Sequence, residues 1–336
     1  MPLTIGSIQL DDHAWLAPMA AVSNAPFREL CLAQGCGLAV TEMVSSEGLL
    51  REPWKINKRM TRARGERVLV VQLFGSDPEV MARAGAVAIE KAGADILDVN
   101  MGCPVRKVLG AGAGAALMRD PDRAAAIVRA LVRTAGERVP VTVKMRAGWN
   151  DEVNAVQLAV RVQDAGAAAI VVHGRTREQF HSGPACWSVI GDVKRAVRVP
   201  VIGNGGVRKV SDATALREQS GCDAVMVGRG AMGNPWIFRS LALGHDIAPS
   251  LEQRFEGIRA HVQRYAEWFG ERDTAREMRK HLIWYVRGMP GSAMVRKRMS
   301  TLHTLADVIE VLDTYEAALR HGDAAAYPDD LQDRDL

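Results

Sequence analysis

The sequence predicts a (β/α)8 TIM barrel followed by a small C-terminal helical domain. Two patterns carry that reading. Eight short apolar runs recur over about 240 residues, and helical segments with legible caps separate them. Each run is rich in β-branched residues and lacks polar alternation, as expected for strands buried on both faces. A third pattern concerns function: polar side chains gather where the runs end.

The runs lie at residues 15–19, 38–43, 68–73, 96–100, 141–145, 169–173, 200–204 and 224–228. Between them, Asn24-Ala25-Pro26 opens a helix that Gly35 ends. Asp77-Pro78 and Asp120-Pro121 open two more, closed by Gly93 and Gly136, with the acid as N-cap and proline at the first helical position. Ser211-Asp212 is expected to start a later helix that stops near Gly221. A doubly wound sheet would need fewer strands and a glycine-rich first turn, and residues 18–23 contain no glycine. The predicted division is a barrel domain at 1–243, a helical domain at 250–320, and a disordered tail at 321–336. In the helical part, Phe255, Ile258, His261, Val262 and Tyr265 share one face.

Composition narrows the class. The 336 residues are 48% hydrophobic and 24% charged, which places the chain among soluble globular proteins. Only 5% are aromatic while 31 are glycine, which suits closely packed α/β units better than a β-sandwich. The net charge of +4 is compatible with an anionic partner. Five cysteines, an odd number with no CxxC pair, read as reduced thiols. No spacing matches a zinc site, so no metal is expected. No apolar stretch reaches the ~18 residues of a membrane span, and no secretory leader is evident. The expectation is a cytoplasmic protein without membrane attachment, and no obligate protein partner is evident.

The polar residues at strand ends are Gln72, Asn100 with Cys103, Lys144, His173, Asn204 and Gly228-Arg229. Barrel active sites sit at this end of the strands. One buried lysine is most simply a structural residue with a carboxylate partner; six polar positions at the same end favour a site. Gly203-Asn204-Gly205-Gly206 and Gly228-Arg229-Gly230 follow the last two strands, where barrels hold phosphate, and suggest a phosphorylated cofactor. Lys144 and His173 would there stabilise negative charge on the N1/O2 edge of a flavin.

Five segments resemble the tRNA-dihydrouridine synthases, with the bacterial B type the closest subgroup. They are Ala17-Pro18-Met19-Ala20, Asn100-Met101-Gly102-Cys103-Pro104, Val143-Lys144-Met145-Arg146, Val172-His173-Gly174-Arg175-Thr176-Arg177 and Gly228-Arg229-Gly230. The resemblance implies FMN held by Pro18, Met19, Ala20, Gln72, Lys144, His173, Asn204, Gly205, Gly206, Gly228 and Arg229, with NADPH as reductant. It implies hydride transfer from flavin N5 to uracil C6 in tRNA, with Cys103 as the acid that protonates C5. Such a role needs a protonated thiol. The glycine run at 110–114 is expected to be a mobile flap, and Cys186 to be inert.

For tRNA, the expected contacts are Asn100, Arg175 and Arg177 on the barrel. On the helical domain they are Arg279, Lys280, Arg287, Arg296, Lys297 and Arg298, with Trp284 and Tyr285 interleaved among the cations. Two other readings stay open at this stage. One is a flavin barrel acting on a small molecule, of the dihydroorotate-oxidising type. The other is a non-catalytic tRNA-binding module.

Overall fold

The computed structural model describes residues 3–10, 14–52, 58–150 and 152–323. The chain forms two compact units, Met1–Gly230 with Ile237–Asp246, and Ala231–Trp236 with Ile247–Leu336. Among the described residues, no helix is long and apolar enough to cross a membrane.

The first unit begins with an antiparallel hairpin, β1 (Leu3–Ile5) and β2 (Ile8–Leu10). A parallel sheet follows, built from β3 (Trp15–Leu16), β4 (Leu38–Ala39), β5 (Val44–Ser45), β6 (Val70–Phe74), β7 (Ile96–Met101), β8 (Val141–Arg146), β9 (Ala169–His173), β10 (Val201–Asn204) and β11 (Ala224–Val227). Its order is β4-β3-β11-β10-β9-β8-β7-β6-β5. The two edges belong to one stave: the predicted strand 38–43 supplies β4, which pairs with β3, and β5 follows directly after it and pairs with β6. Between them Val40 bridges Val70 in parallel, and Thr41 N–H donates to Val70 O at 3.1 Å. The sheet therefore closes, and nine strand segments make the eight staves of a (β/α)8 barrel.

Alternate residues point inward, as strand geometry dictates. Trp15, Val40, Val70, Ile96, Val171, Ile202 and Met226 fill the interior. Ile5 and Leu10 belong to the same core, so the hairpin packs on the barrel interior. The sequence reading did not anticipate this hairpin, because two three-residue strands around a Gly6-Ser7 turn are too short to show a period. Continuing the inward parity toward the C-terminal ends turns apolar into polar: Asp98 and Asn100 on β7, Thr142, Lys144 and Arg146 on β8, His173 on β9 and Asn204 on β10.

The helix signals act as expected where an acid precedes proline. Asp77 accepts from Val80 N–H at 2.8 Å and Asp120 from Arg123 N–H at 3.1 Å. The helix expected from Ser211-Asp212 starts earlier, at Val210, because Asp212 reaches back to Lys209 N–H at 3.1 Å and Arg208 N–H at 2.8 Å. One ion pair is deeply buried: Arg28 Nε bonds Glu66 Oε1 at 2.9 Å, with both side chains out of solvent. Arg28 also donates to Ser23 O and Thr61 O, and Glu66 accepts from Ala63 N–H, so the pair fastens residues 61–66 to the first barrel helix.

The second unit is helical: Leu251–Phe269, Glu271–Tyr285, Ser292–Arg298 and Leu305–His321. Phe255, Ile258, His261, Val262 and Tyr265 are all buried. His261 and His281 lie edge to face with ring centroids 4.7 Å apart, and His261 Nδ1 meets Tyr285 Oη at 3.1 Å. Burial pushes both imidazoles down, His261 to about 3. Of the tail expected to be disordered, residues 324–336 lie outside the described residues.

Glu66→Ala would leave Arg28 as a buried charge without its carboxylate, and is expected to destabilise the barrel by about 3 kcal/mol. Thermal or urea unfolding measures this; a change below about 0.5 kcal/mol would show that the pair is dispensable.

Candidate active site

Cys103 sits on the turn after β7, and a hydrogen-bond chain fixes that turn. Asn100 Oδ1 accepts from Gly102 N–H at 3.1 Å and from Cys103 N–H at 2.9 Å. Asn100 Nδ2 donates to Gln72 Oε1 at 2.8 Å, and Gln72 Nε2 to Asp98 Oδ2 at 2.6 Å. Asp98 Oδ1 accepts from Thr142 Oγ1 at 2.6 Å. Gln72, Asp98 and Asn100 are nearly or fully buried. The chain links β6, β7 and β8 to the backbone of the thiol.

Of the glycine run after Cys103, Gly110 and Ala111 are exposed while Ala113 and Gly114 are buried. Residues 106–110 form a helical turn and Gly114–Arg119 a 3-10 turn. Ala115 N–H donates to Cys103 O at 3.1 Å. Gly114 has φ +62, and a Cβ there would lie 2.8 Å from Cys103 O. A small residue is required at 114 because it lies directly against the thiol's own backbone.

Cations crowd the same strand ends. Lys144 Nζ donates to Asn204 Oδ1 at 3.0 Å, and Asn204 Nδ2 to Met226 O at 2.7 Å. Desolvation, reinforced by Arg146, pulls Lys144 down to about 8, against the opposing pull of Asp98. Arg146 donates to Gly102 O at 2.7 Å, Thr176 O at 2.9 Å and Phe180 O at 2.8 Å. Burial and the neighbouring arginines lower it to about 10. His173 Nδ1 accepts from Arg175 N–H at 3.2 Å, which leaves the ring proton on Nε2. Burial and then the surrounding cations hold this imidazole well below its usual range, so it is neutral at pH 7. The Cys103 thiol is pushed up by burial, which outweighs the opposing Arg146 charge and Val105 N–H. It is a thiol, not a thiolate, at neutral pH.

The glycine turns complete the mouth. Gly205 and Gly206 have φ +113 and +88, which only glycine adopts readily. A Cβ on Gly205 would sit 3.4 Å from the His173 ring, and one on Gly206 3.4 Å from Trp187. Positive φ, small size and adjacent cations are what a phosphate cradle needs. Gly228 lies beside Ala17 and Met19, which brings the loop of Pro18, Met19 and Ala20 to the same mouth. Arg229 Nη2 donates to His181 O at 3.2 Å.

The predicted RNA contacts divide. Arg175 donates through Nε and Nη2 to Gly183 O at 2.9 and 2.7 Å. The Arg177 guanidinium stacks on Trp149 at 4.8 Å. In the helical unit, Arg279 bonds Leu302 O, Lys280 pairs with Glu277, Arg296 donates to Ser292 Oγ, and Arg298 pairs with Glu310. Arg287 and Lys297 are exposed. Tyr285 is buried and Trp284 packs edge-on to His281, so Tyr285 is not placed for stacking on RNA. Cys186 is exposed and meets Ser188 Oγ at 3.1 Å. The sequence reading left Arg146, Asp98 and Thr142 without a role. The period of two in Thr142-Lys144-Arg146 was the available signal.

Fold and site define a (β/α)8 barrel whose mouth is built for an anionic ligand beside a protonated thiol. The dihydrouridine synthase family model matches residues 15–321, and the chain belongs to that family. A probable tRNA-dihydrouridine synthase from Rickettsia prowazekii is 39% identical over 92% of this chain and 95% of its own length. A tRNA-dihydrouridine synthase B from Shewanella oneidensis is 38% identical over 93% and 98%. Among solved structures, histamine dehydrogenase from Rhizobium sp. 4-9 aligns with a TM-score of 0.56 at 13% identity. That alignment covers 78% of this chain and 50% of the dehydrogenase, and shows a shared barrel fold.

With Lys144 titrating near 8, its charge is present below that pH and lost above it. The affinity of the stripped protein for an anionic flavin is therefore expected to fall as pH rises beyond about 8. Lys144→Met should weaken binding and abolish that fall. Fluorescence titration measures both; an unchanged wild-type affinity across the range would assign the charge to the arginines instead.

Proposed function

We propose that the protein is a cytoplasmic, FMN-dependent tRNA-dihydrouridine synthase that uses NADPH to saturate the C5–C6 bond of a uracil in tRNA. The observation that carries this reading is a neutral thiol, Cys103, held by Asn100 at a mouth lined with cations. A thiol kept protonated by burial is an acid in waiting, and the pull of Val105 N–H and Arg146 toward thiolate is outweighed by that burial.

The residues present fit the flavin. Gly205, Gly206 and Arg229 would hold its phosphate, Lys144 and the His173 Nε2–H its electron-rich edge, and Pro18, Met19, Ala20 and Gly228 would line its bed. Gln72 and Asn204 act within the hydrogen-bond chains that orient Asn100 and Lys144. When bound and reduced, the flavin supplies the hydride for C6. Cys103 Sγ supplies the proton for C5, and Asn100 fixes the backbone from which the thiol reaches. Asp98, drawn toward its protonated form by burial, is steadied as a carboxylate by Gln72, Thr142 and Lys144.

The tRNA contacts proposed are Asn100, Arg175 and Arg177 on the barrel and Arg279, Lys280, Arg287, Arg296, Lys297 and Arg298 on the helical unit. Arg287 and Lys297 are the most accessible of the second group. Arg175, Arg279, Lys280, Arg296 and Arg298 also bond within the protein, which would hold them in place for the RNA.

Cys103→Ala is expected to purify yellow and to be reduced by NADPH, yet to lose ~100-fold or more in dihydrouridine formation. Undiminished turnover would remove Cys103 as the acid. Arg287→Ala with Lys297→Ala should weaken tRNA binding and flatten the plot of log affinity against log salt by about 2. An unaltered slope would move the phosphate contacts elsewhere.

A further inference from the structure

Four large hydrophobic residues are notably exposed among the described residues: Val105, Val153, Phe180 and Leu243. Three of them lie in the loops that follow β7, β8 and β9, three neighbouring strands, at the end of the barrel that carries Cys103. Scattered exposed apolar residues need no explanation, but three on adjacent active-site loops do. The same loops carry a cation stack. Arg119 and Arg177 lie over the Trp149 ring at 5.3 and 4.8 Å.

Phe180 is the most constrained of the three. Its φ is +50, a left-handed backbone that a bulky side chain rarely adopts. Its loop is fastened by three guanidiniums arriving from three different strands or strand ends. Arg146 bonds Thr176 O and Phe180 O, Arg175 bonds Gly183 O, and Arg229 bonds His181 O. Thr176 N–H donates to Gln179 Oε1 at 2.8 Å within the loop. A ring is thus held in an unfavourable backbone conformation, 47% exposed, on a loop fastened by three arginines, of which Arg146 and Arg175 are buried. Packing accounts for only part of this: the ring meets His181 edge-on at 4.7 Å and leaves about half of the residue exposed. A ligand with a flat apolar face and surrounding negative charge accounts for the rest.

We propose that the loops after β7, β8 and β9 form a contact surface for the nucleotides flanking the target uridine, with Phe180 as the ring on which a neighbouring base stacks. Val105 and Val153 extend the apolar face, and Arg119 and Arg177 meet phosphates. This deepens the tRNA reading and rests on it. A base drawn out of a folded RNA leaves its neighbours unstacked, and a preset ring compensates them without first being ordered. Phe180 does not touch the reacting atoms; it positions substrate.

The test uses the full-length flavin-loaded protein and an unmodified tRNA transcript. Phe180→Gly removes the ring and relieves the backbone, so flavin content should hold and thermal stability should hold or rise. Affinity for the transcript should fall about tenfold. Phe180→Asn, which also tolerates a left-handed backbone, is the second variant, and Phe180→Trp should retain affinity. Leu243→Ser, exposed away from these loops, is the control. Unchanged transcript affinity in Phe180→Gly and Phe180→Asn overturns the proposal, as does an equal loss in Leu243→Ser. If the wild-type protein binds the transcript but forms no dihydrouridine, the enzymatic reading fails, while the comparison of affinities still decides the role of Phe180.

Discussion

Everything at the barrel mouth depends on the hydrogen-bond chain from Thr142 through Asp98, Gln72 and Asn100 to the backbone of Cys103. Each member is buried, and each would be costly there without the next. The chain crosses three adjacent strands, so the position of the thiol is set by the sheet and not by a loop. Substituting any member would leave a buried donor or acceptor unmatched and shift the turn. The closed sheet is what makes such a chain possible, since only continuous register brings Gln72 beside Asp98 and Asn100 beside Lys144.

The second constraint is electrostatic. Lys144, Arg146, His173 and Arg175 are each lowered by burial first and then by neighbouring cations: Arg146 acts on Lys144, Arg175 and Arg229 on Arg146, Lys144, Arg146 and Arg175 on His173, and Arg229 with Arg208 on Arg175. The backbone partly answers this charge, through the carbonyls of Gly102, Thr176, Phe180 and Gly183. An anionic cofactor would answer the rest. In that field a cysteine would ordinarily be driven toward thiolate. Burial of Cys103 works in the opposite direction and wins, which keeps a transferable proton on sulfur.

Much of this was legible in the sequence. The strands were readable because parallel barrel strands are apolar throughout. Lys144, His173 and Asn204 stood out because they interrupt apolar runs at one end. What stayed hidden depends on pairing between distant segments. Arg146 looks like an ordinary polar residue after a strand until its carbonyl partners, some 30 residues on, are known. The break of one stave into β4 and β5 falls around Thr41-Glu42, two polar residues that by themselves do not tell a broken strand from one that ends. The left-handed Phe180 carries no compositional signal, since the residues that favour that backbone are glycine and asparagine. On the helical unit, charge counting located the basic stretch but could not separate arginines that cap and brace the bundle from those that face solvent.

The buried pair of His261 and His281 has a consequence for how the two units respond to acid. Both imidazoles are neutral when folded, with His261 at about 3 against 6.5 for an open ring. The unfolded helical unit therefore takes up protons that the folded unit refuses, and its stability declines as pH falls below about 6.5. The barrel unit carries the same liability: His173 is held well below its usual range and His181 is lowered to about 4, in each case by burial first and by neighbouring cations next. Acid therefore draws on both units, the helical one through a pair that fills its core and the barrel one through histidines at its mouth.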